Sequence, residues 1–131
     1  MYVLFLDESG SARAPIAEAL MRQIAPWHEA TAAGWVPSHV RPEIKEVLEE
    51  AGVHTTGLRA RGLAQVPLDE VEIVVAFVPD EGRLRVPAKA RRIQWNLPDP
   101  LSSPPDERLD ACRAARDEIE RRIKILAEEL G

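Results

Sequence analysis

The sequence predicts an α/β fold: a three-layer α/β/α arrangement, with a four-stranded parallel sheet covered by helices on both faces. Three observations carry this expectation. Strand-like and helix-like segments alternate along the chain, the pattern of a parallel sheet with crossover helices. The runs Tyr2 to Leu6 and Val71 to Val78 are apolar almost without interruption, as strands buried on both faces are. Asp106 to Leu130 is a long segment whose apolar residues recur at helical spacing among charged ones. A length of 131 residues suits one domain, residues 1–131, built around a single core.

The elements follow in order. Tyr2 to Leu6 forms the first strand, and a small polar loop runs from Asp7 to Arg13. Pro15 opens the first helix, which continues to Ile24, because proline suits a first helical turn. Pro26 closes that helix. Trp27 to Ala33 reads as a second strand ending at Gly34. Pro42 stands at a helix start, and Glu43 to Ala51 forms the second helix with Gly52 as its stop. Leu58 to Leu63 is expected as a short helical turn. Val71 to Val78 is the third strand and Arg92 to Trp95 a short fourth. The last helix spans Asp106 to Leu130, with Leu109, Cys112, Ile119, Ile123, Leu126 and Leu130 on its apolar side.

Composition excludes several classes. The net charge is −5 and the arginines are scattered, which argues against a nucleic-acid partner. No run is long enough to span a bilayer and no basic-then-apolar leader opens the chain, so a soluble, cytoplasmic protein without a membrane partner is expected. The single Cys112 cannot form an internal disulfide and, on an apolar helix side, is expected to be a buried structural thiol. His28, His39 and His54 lack metal-ligand spacing, so no zinc site is expected. No repeats stand out, and Pro98 to Pro105 is a proline- and serine-rich turn.

In a sheet of this kind ligands bind at the carboxyl ends of the strands, where Asp7 to Arg13 falls. A strand, a tight loop and a helix N-terminus together make an anion cradle. Loop amides supply donors, the helix dipole adds partial positive charge, and Arg13 adds a full one. The candidate anion-binding residues are Glu8, Ser9, Gly10, Ser11, Ala12 and Arg13. The segment Arg13 to Ala19, Arg-Ala-Pro-Ile-Ala-Glu-Ala, resembles the start of the first helix in low-molecular-weight tyrosine phosphatases and the related thioredoxin-coupled arsenate reductases. The resemblance continues through Ala33-Gly34, Pro42 to Val53, the strand Glu72 to Val78, the run Trp95-Asn96-Leu97-Pro98-Asp99-Pro100, and the helix around Arg116 to Ile119. It covers nearly the whole chain, and the Arg13 and Asp99-Pro100 segments are its specific parts.

What that resemblance implies is a three-part mechanism. A thiolate attacks, loop amides and an arginine hold the equatorial oxygens, and an aspartic acid protonates the leaving group. Arg13 matches the clamp and Asp99 the acid. Asp7 stands where the thiolate would be, and Ala14 where a serine hydroxyl would support it. Gly10 replaces an asparagine, a mild change if that position needs positive φ. The two further redox cysteines of the arsenate reductases fall on Val78 and close to Arg85, so thiol-based arsenate reduction is lost to this chain acting alone. The resemblance implies no cofactor, a phosphate or other oxyanion as ligand, and leaves any protein partner unknown.

Two readings of Asp7 stay open. A carboxylate can attack phosphorus and form an acyl phosphate, which gives an active phosphatase using Asp7, Arg13 and Asp99. Alternatively, a carboxylate among N–H donors is itself the bound anion, with a lowered pKa, and repels incoming phosphate. Like charges about 4 Å apart cost on the order of 4 kcal/mol at an effective dielectric of 20, which favours the second reading. It describes a degenerate, catalytically silent member that keeps an anion loop for binding or interaction. Leu4 to Ser11 also resembles the first motif of haloacid-dehalogenase-type phosphatases. Ser9 replaces their second aspartate, however, and Arg13, Pro15 and Asp99-Pro100 go unexplained. Asp99-Pro100 also suits a plain turn. Glu18 is expected to be structural. Trp27, Trp35 and Trp95 are expected in core or rim packing, with Trp35 near enough to a strand end to line the cleft.

Overall fold

The computed structural model describes residues 1–79 and 82–131. Its four strands are β1 (Tyr2–Asp7), β2 (Glu29–Gly34), β3 (Ile73–Ala76) and β4 (Arg91–Gln94). They form one fully parallel sheet in the order β2-β1-β3-β4. The α-helices are α1 (Arg13–Ile24), α2 (Pro42–Glu50) and α3 (Arg108–Leu130). The expected α/β class, the four parallel strands and the long last helix are all present.

Alternation along the strands divides the core in two. Val3 and Phe5 of β1, with Ile73 and Val75 of β3, face one side and join Ile16 and Leu20 of α1, Ile44 and Leu48 of α2, and Cys112, Ile119 and Ile123 of α3. Phe5 is fully buried there, and burying a side chain of that kind contributes roughly 1.5–3 kcal/mol. Trp95 closes this cluster, with its ring 6.3 Å from Phe5 and 5.9 Å from Phe77. Leu4, Leu6, Ala33 and Val74 face the other side. That layer is made of single 3₁₀ turns at Leu63–Gln65 and Leu68–Glu70, together with Leu84 and Val86, rather than of long helices.

Several boundaries differ from expectation for local reasons. Helix α1 begins at Arg13, so Pro15 sits inside its first turn, where no N–H is needed. Strand β2 begins at Glu29, because exposed Trp27 turns away to donate its indole N–H to the Gly131 carbonyl at 2.7 Å. Trp27 is therefore not core packing. Leu58 to Leu63 is not a helical turn. Gly34 N–H bonds the Arg61 carbonyl at 2.9 Å, and Gly34 pairs with Gly62 as a parallel bridge, which holds this segment extended. Strand β3 ends at Ala76, two residues before Val78, where the Phe77 carbonyl turns to accept from Arg13.

Strand β1 lies between β2 and β3, and the chain leaves its carboxyl end at the point where the strand order reverses. The loop Glu8 to Ala12 and the start of α1 occupy that crevice.

Candidate functional site

The loop is shaped by two glycines in contact. Gly10 has φ 67°, a conformation that side-chain-bearing residues rarely adopt. Gly34 lies so close that a Cβ there would sit 2.4 Å from the Gly10 nitrogen. The residues after β2 run alongside the loop, with Trp35 N–H on the Asp7 carbonyl (3.2 Å), Val36 N–H on Glu8 (2.9 Å) and Ser38 N–H on Ser9 (3.0 Å). These bonds engage the loop carbonyls of Asp7, Glu8 and Ser9. Ser9 donates to the Ser11 hydroxyl at 2.9 Å and completes the rim.

Asp7 ends β1 and is only 3% exposed. Its Oδ2 accepts from Ala14 N–H at 2.9 Å and its Oδ1 from Gly10 N–H in a short contact. The carboxylate therefore takes two of the loop amides. Among the described residues, the N–H groups of Glu8, Ser9, Ser11, Ala12 and Arg13 have no acceptor. The expected lowering of the Asp7 pKa is overturned. Burial raises it, against the opposing pull of the Ala14 and Gly10 amides and the Arg13 charge, while the Asp99 charge adds to the rise.

Arg13, 7% exposed, opens α1 but does not grip Asp7. Its Nη1 donates to the Leu97 carbonyl at 2.8 Å and to the Phe77 carbonyl at 3.3 Å, which ties the loop to the ends of β3 and of the segment after β4. Its buried Nε has no partner among the described residues. Asp99 follows Leu97, so this tether brings the two expected site segments together. The Asp99 Oδ1 accepts from Leu101 N–H at 2.9 Å and caps the single 3₁₀ turn Pro100–Ser102. The turn expected of Asp99-Pro100 is thus real, and its carboxylate also lies close enough to Asp7 to act on it electrostatically.

The other singled-out residues find ordinary places. Cys112 is fully buried, and burial together with the Glu43 and Asp99 charges pushes its thiol up to about 11. Trp35 packs against the second core cluster beneath the Arg83 guanidinium, 4.2 Å above its ring. Among the described residues no group of three His, Cys, Asp or Glu could hold a metal, and no helix is long and apolar enough to cross a membrane. Glu18 carries more than expected. It is fully buried, and its Oε1 accepts from Ala32 N–H and from Arg61 Nη1, each at 2.8 Å. Its Oε2 lies 3.2 Å from Arg22, within ion-pair range but without hydrogen-bond geometry. A glutamate flanked by Ile16, Ala17, Ala19 and Leu20 was the sequence signal for this role.

The chain thus combines a parallel α/β sheet with a glycine-bearing loop and a buried arginine at its switch point. The family model described as low molecular weight phosphotyrosine protein phosphatase matches residues 2–131, and the chain belongs to that family. Among solved structures it is similar to the YwlE arginine phosphatase from Geobacillus stearothermophilus, at 27% identity, covering 98% of this chain and 92% of that one, with a TM-score of 0.81. It is also similar to an arsenate reductase from Archaeoglobus fulgidus DSM 4304, at 26% identity over 96% of this chain and 98% of that one, TM-score 0.78. The tyrosine phosphatase Wzb from Escherichia coli K30, in complex with sulphate, shares the fold at 19% identity over 99% and 98% of the two chains, TM-score 0.79. No curated sequence matches the chain closely enough to count as a relative.

Proposed function

We propose that this family member binds a phosphate-like oxyanion without turning it over, and that Asp7 acts as a resident pseudo-substrate at the position the family uses for its nucleophile. The observation that carries the reading is the Asp7 carboxylate itself. It is buried and holds the Gly10 and Ala14 amides, while five other loop amides and Arg13 Nε stay uncommitted. One amide on each oxygen engages about half of the carboxylate's lone-pair sites and draws charge from the rest, which weakens it as an attacking group. The Asp99 carboxyl is turned onto Leu101 N–H rather than held free as a proton donor.

An incoming oxyanion would meet the uncommitted amides, Arg13 and the positive end of α1. It would also meet the charge of Asp7 whenever that residue is ionised. Binding is then weaker wherever Asp7 is ionised and strengthens when it is neutralised. The sulphate in Wzb, and an arsenate reductase described in its phosphate-binding state, support the choice of oxyanion. Hydrolysis of p-nitrophenyl phosphate by the purified chain tests the silent part of the reading. Turnover at background level is expected, and robust turnover that disappears in Asp7→Asn would establish the carboxylate as a nucleophile instead.

A further inference from the structure

Strand β2 is an edge strand, and its outward amides need acceptors. Ala32 N–H is taken by the Glu18 carboxylate at 2.8 Å, and Gly34 N–H by the Arg61 carbonyl at 2.9 Å. The same Glu18 oxygen accepts from Arg61 Nη1 at 2.8 Å. Arg61 therefore meets the sheet edge directly through its backbone carbonyl and indirectly through Glu18, which its side chain holds. What it holds down is the outer wall of the loop. A Cβ on Gly10 would lie 3.4 Å from Gly34 N and 3.5 Å from Ala60 Cα, so the segment 60–62 and Gly34 together brace the positive-φ turn.

We propose that the buried Glu18–Arg61 pair is a positioning latch that fixes the shape of the anion loop through Gly34 and Ala60. The inference deepens the oxyanion-binding reading and rests on it for its ligand. The chemistry suits the task. A carboxylate inside α1 accepts two charge-strengthened or buried bonds at one oxygen, and the guanidinium neutralises it in place. Alanine at position 61 would free the 60–62 wall and leave Glu18 uncompensated. The loop amides would then lose the alignment that lets several of them meet one ligand.

The test uses the full chain in two measurements. Amide hydrogen exchange at Gly10 and Gly34 reports the loop and its wall, and exchange at Ile123 in α3 reports global stability. Sulphate affinity is measured in an Asp7→Ser background, where the resident charge is gone. Arg61→Ala is expected to speed Gly10 exchange about tenfold beyond any change at Ile123, and to weaken sulphate about tenfold. Arg61→Lys should recover most of both, and Arg22→Ala, which removes an ion pair from the same carboxylate without touching the wall, should shift each by less than about twofold. Should Arg61→Ala fail to fold, the charge-free pair Glu18→Gln with Arg61→Gln is measured in the same way and should show the same local loosening at Gly10. Gly10 exchange that moves only in parallel with Ile123 would overturn the latch and leave a purely structural ion pair. If the Asp7→Ser chain binds no sulphate, the oxyanion reading fails, while the exchange data still decide the latch.

Discussion

The Asp7 carboxylate and the Ala14 amide are hydrogen-bonded at 2.9 Å, across the full width of the loop that separates them. This bond places a buried carboxyl group at the floor of the loop, and it links the end of β1 to the first turn of α1. The loop's chemistry follows from that one carboxylate and from Arg13, which is tethered to the carbonyls of Phe77 and Leu97 rather than to Asp7.

The pH dependence has a definite sign. Burial raises Asp7 above its ordinary value of 3.8, so between that value and the raised one the native state holds a proton that the unfolded chain has released. The contribution of Asp7 to stability is complete below the ordinary value and is lost as pH rises through the native pKa. The stability of Asp7→Asn relative to the parent chain should therefore increase with pH across that window, measured by urea unfolding. Glu50 and Glu118, held low by Arg113 and Arg116 and by Arg121 and Arg122, are common to both chains and cancel. A difference that does not change with pH would contradict the raised pKa.

Arg13→Ala should destabilise the chain by about 1.5–3 kcal/mol, because it removes a charged donor from two carbonyls in a buried setting. It should also abolish sulphate binding at millimolar concentrations, read by titration calorimetry. Retained affinity would place the anion away from this loop.

Gly34→Ala tests the glycine contact. Its Cβ would fall 2.4 Å from backbone atoms of Gly10 and Ser9, which cannot give way as a side chain could. A loss of about 3 kcal/mol or more is expected from thermal or urea unfolding. Gly52→Ala, at φ 75° with open space around it, should cost only about 1–2 kcal/mol. Similar losses at the two positions would show that Gly34 is a matter of backbone preference alone.

Asp7→Cys asks how much catalytic geometry the loop retains. The amides, the start of α1 and Arg13 favour a thiolate while burial opposes it, as at Asp7; alkylation by iodoacetamide, with Cys112→Ala to remove the buried thiol, reads that balance, and a thiol pKa below about 8.5 marks a retained catalytic geometry. Weak hydrolysis of p-nitrophenyl phosphate should appear and rise with Ala14→Ser. Asp99→Asn in that background should lower it about a hundred- to ten-thousandfold if Asp99 leaves its cap on Leu101 to protonate the leaving group. A smaller effect would leave Asp99 as a turn residue only.

The sheet, the loop before α1 and the Asp99-Pro100 turn were legible because each has a pattern of its own: an apolar run, a glycine before a helix, an Asp-Pro after a strand; the tie from Arg13 to Leu97 was not, because it joins residues distant in sequence. The second outer layer was not, because single 3₁₀ turns such as Leu63–Gln65 leave no periodicity to read. The direction of the Asp7 pKa was missed because sequence counts the donors around a carboxylate but not the solvent removed from it. Of the core and rim places open to Trp27, the structure takes the rim, where its N–H meets the Gly131 carbonyl, a partner no local pattern announces. The task of Glu18 depends on Ala32 and Arg61, which only the fold brings to it.

The central claim is that Asp7 competes with an incoming oxyanion for the same loop. Titration calorimetry with sulphate, which keeps its charge across the accessible pH range, compares the parent chain with Asp7→Ser at pH 7.5. The account predicts affinity about tenfold or more tighter in Asp7→Ser, in line with removal of a like charge from the site. Equal or weaker affinity in Asp7→Ser would contradict it, and would mean that Asp7 supports the ligand or that the loop does not receive one.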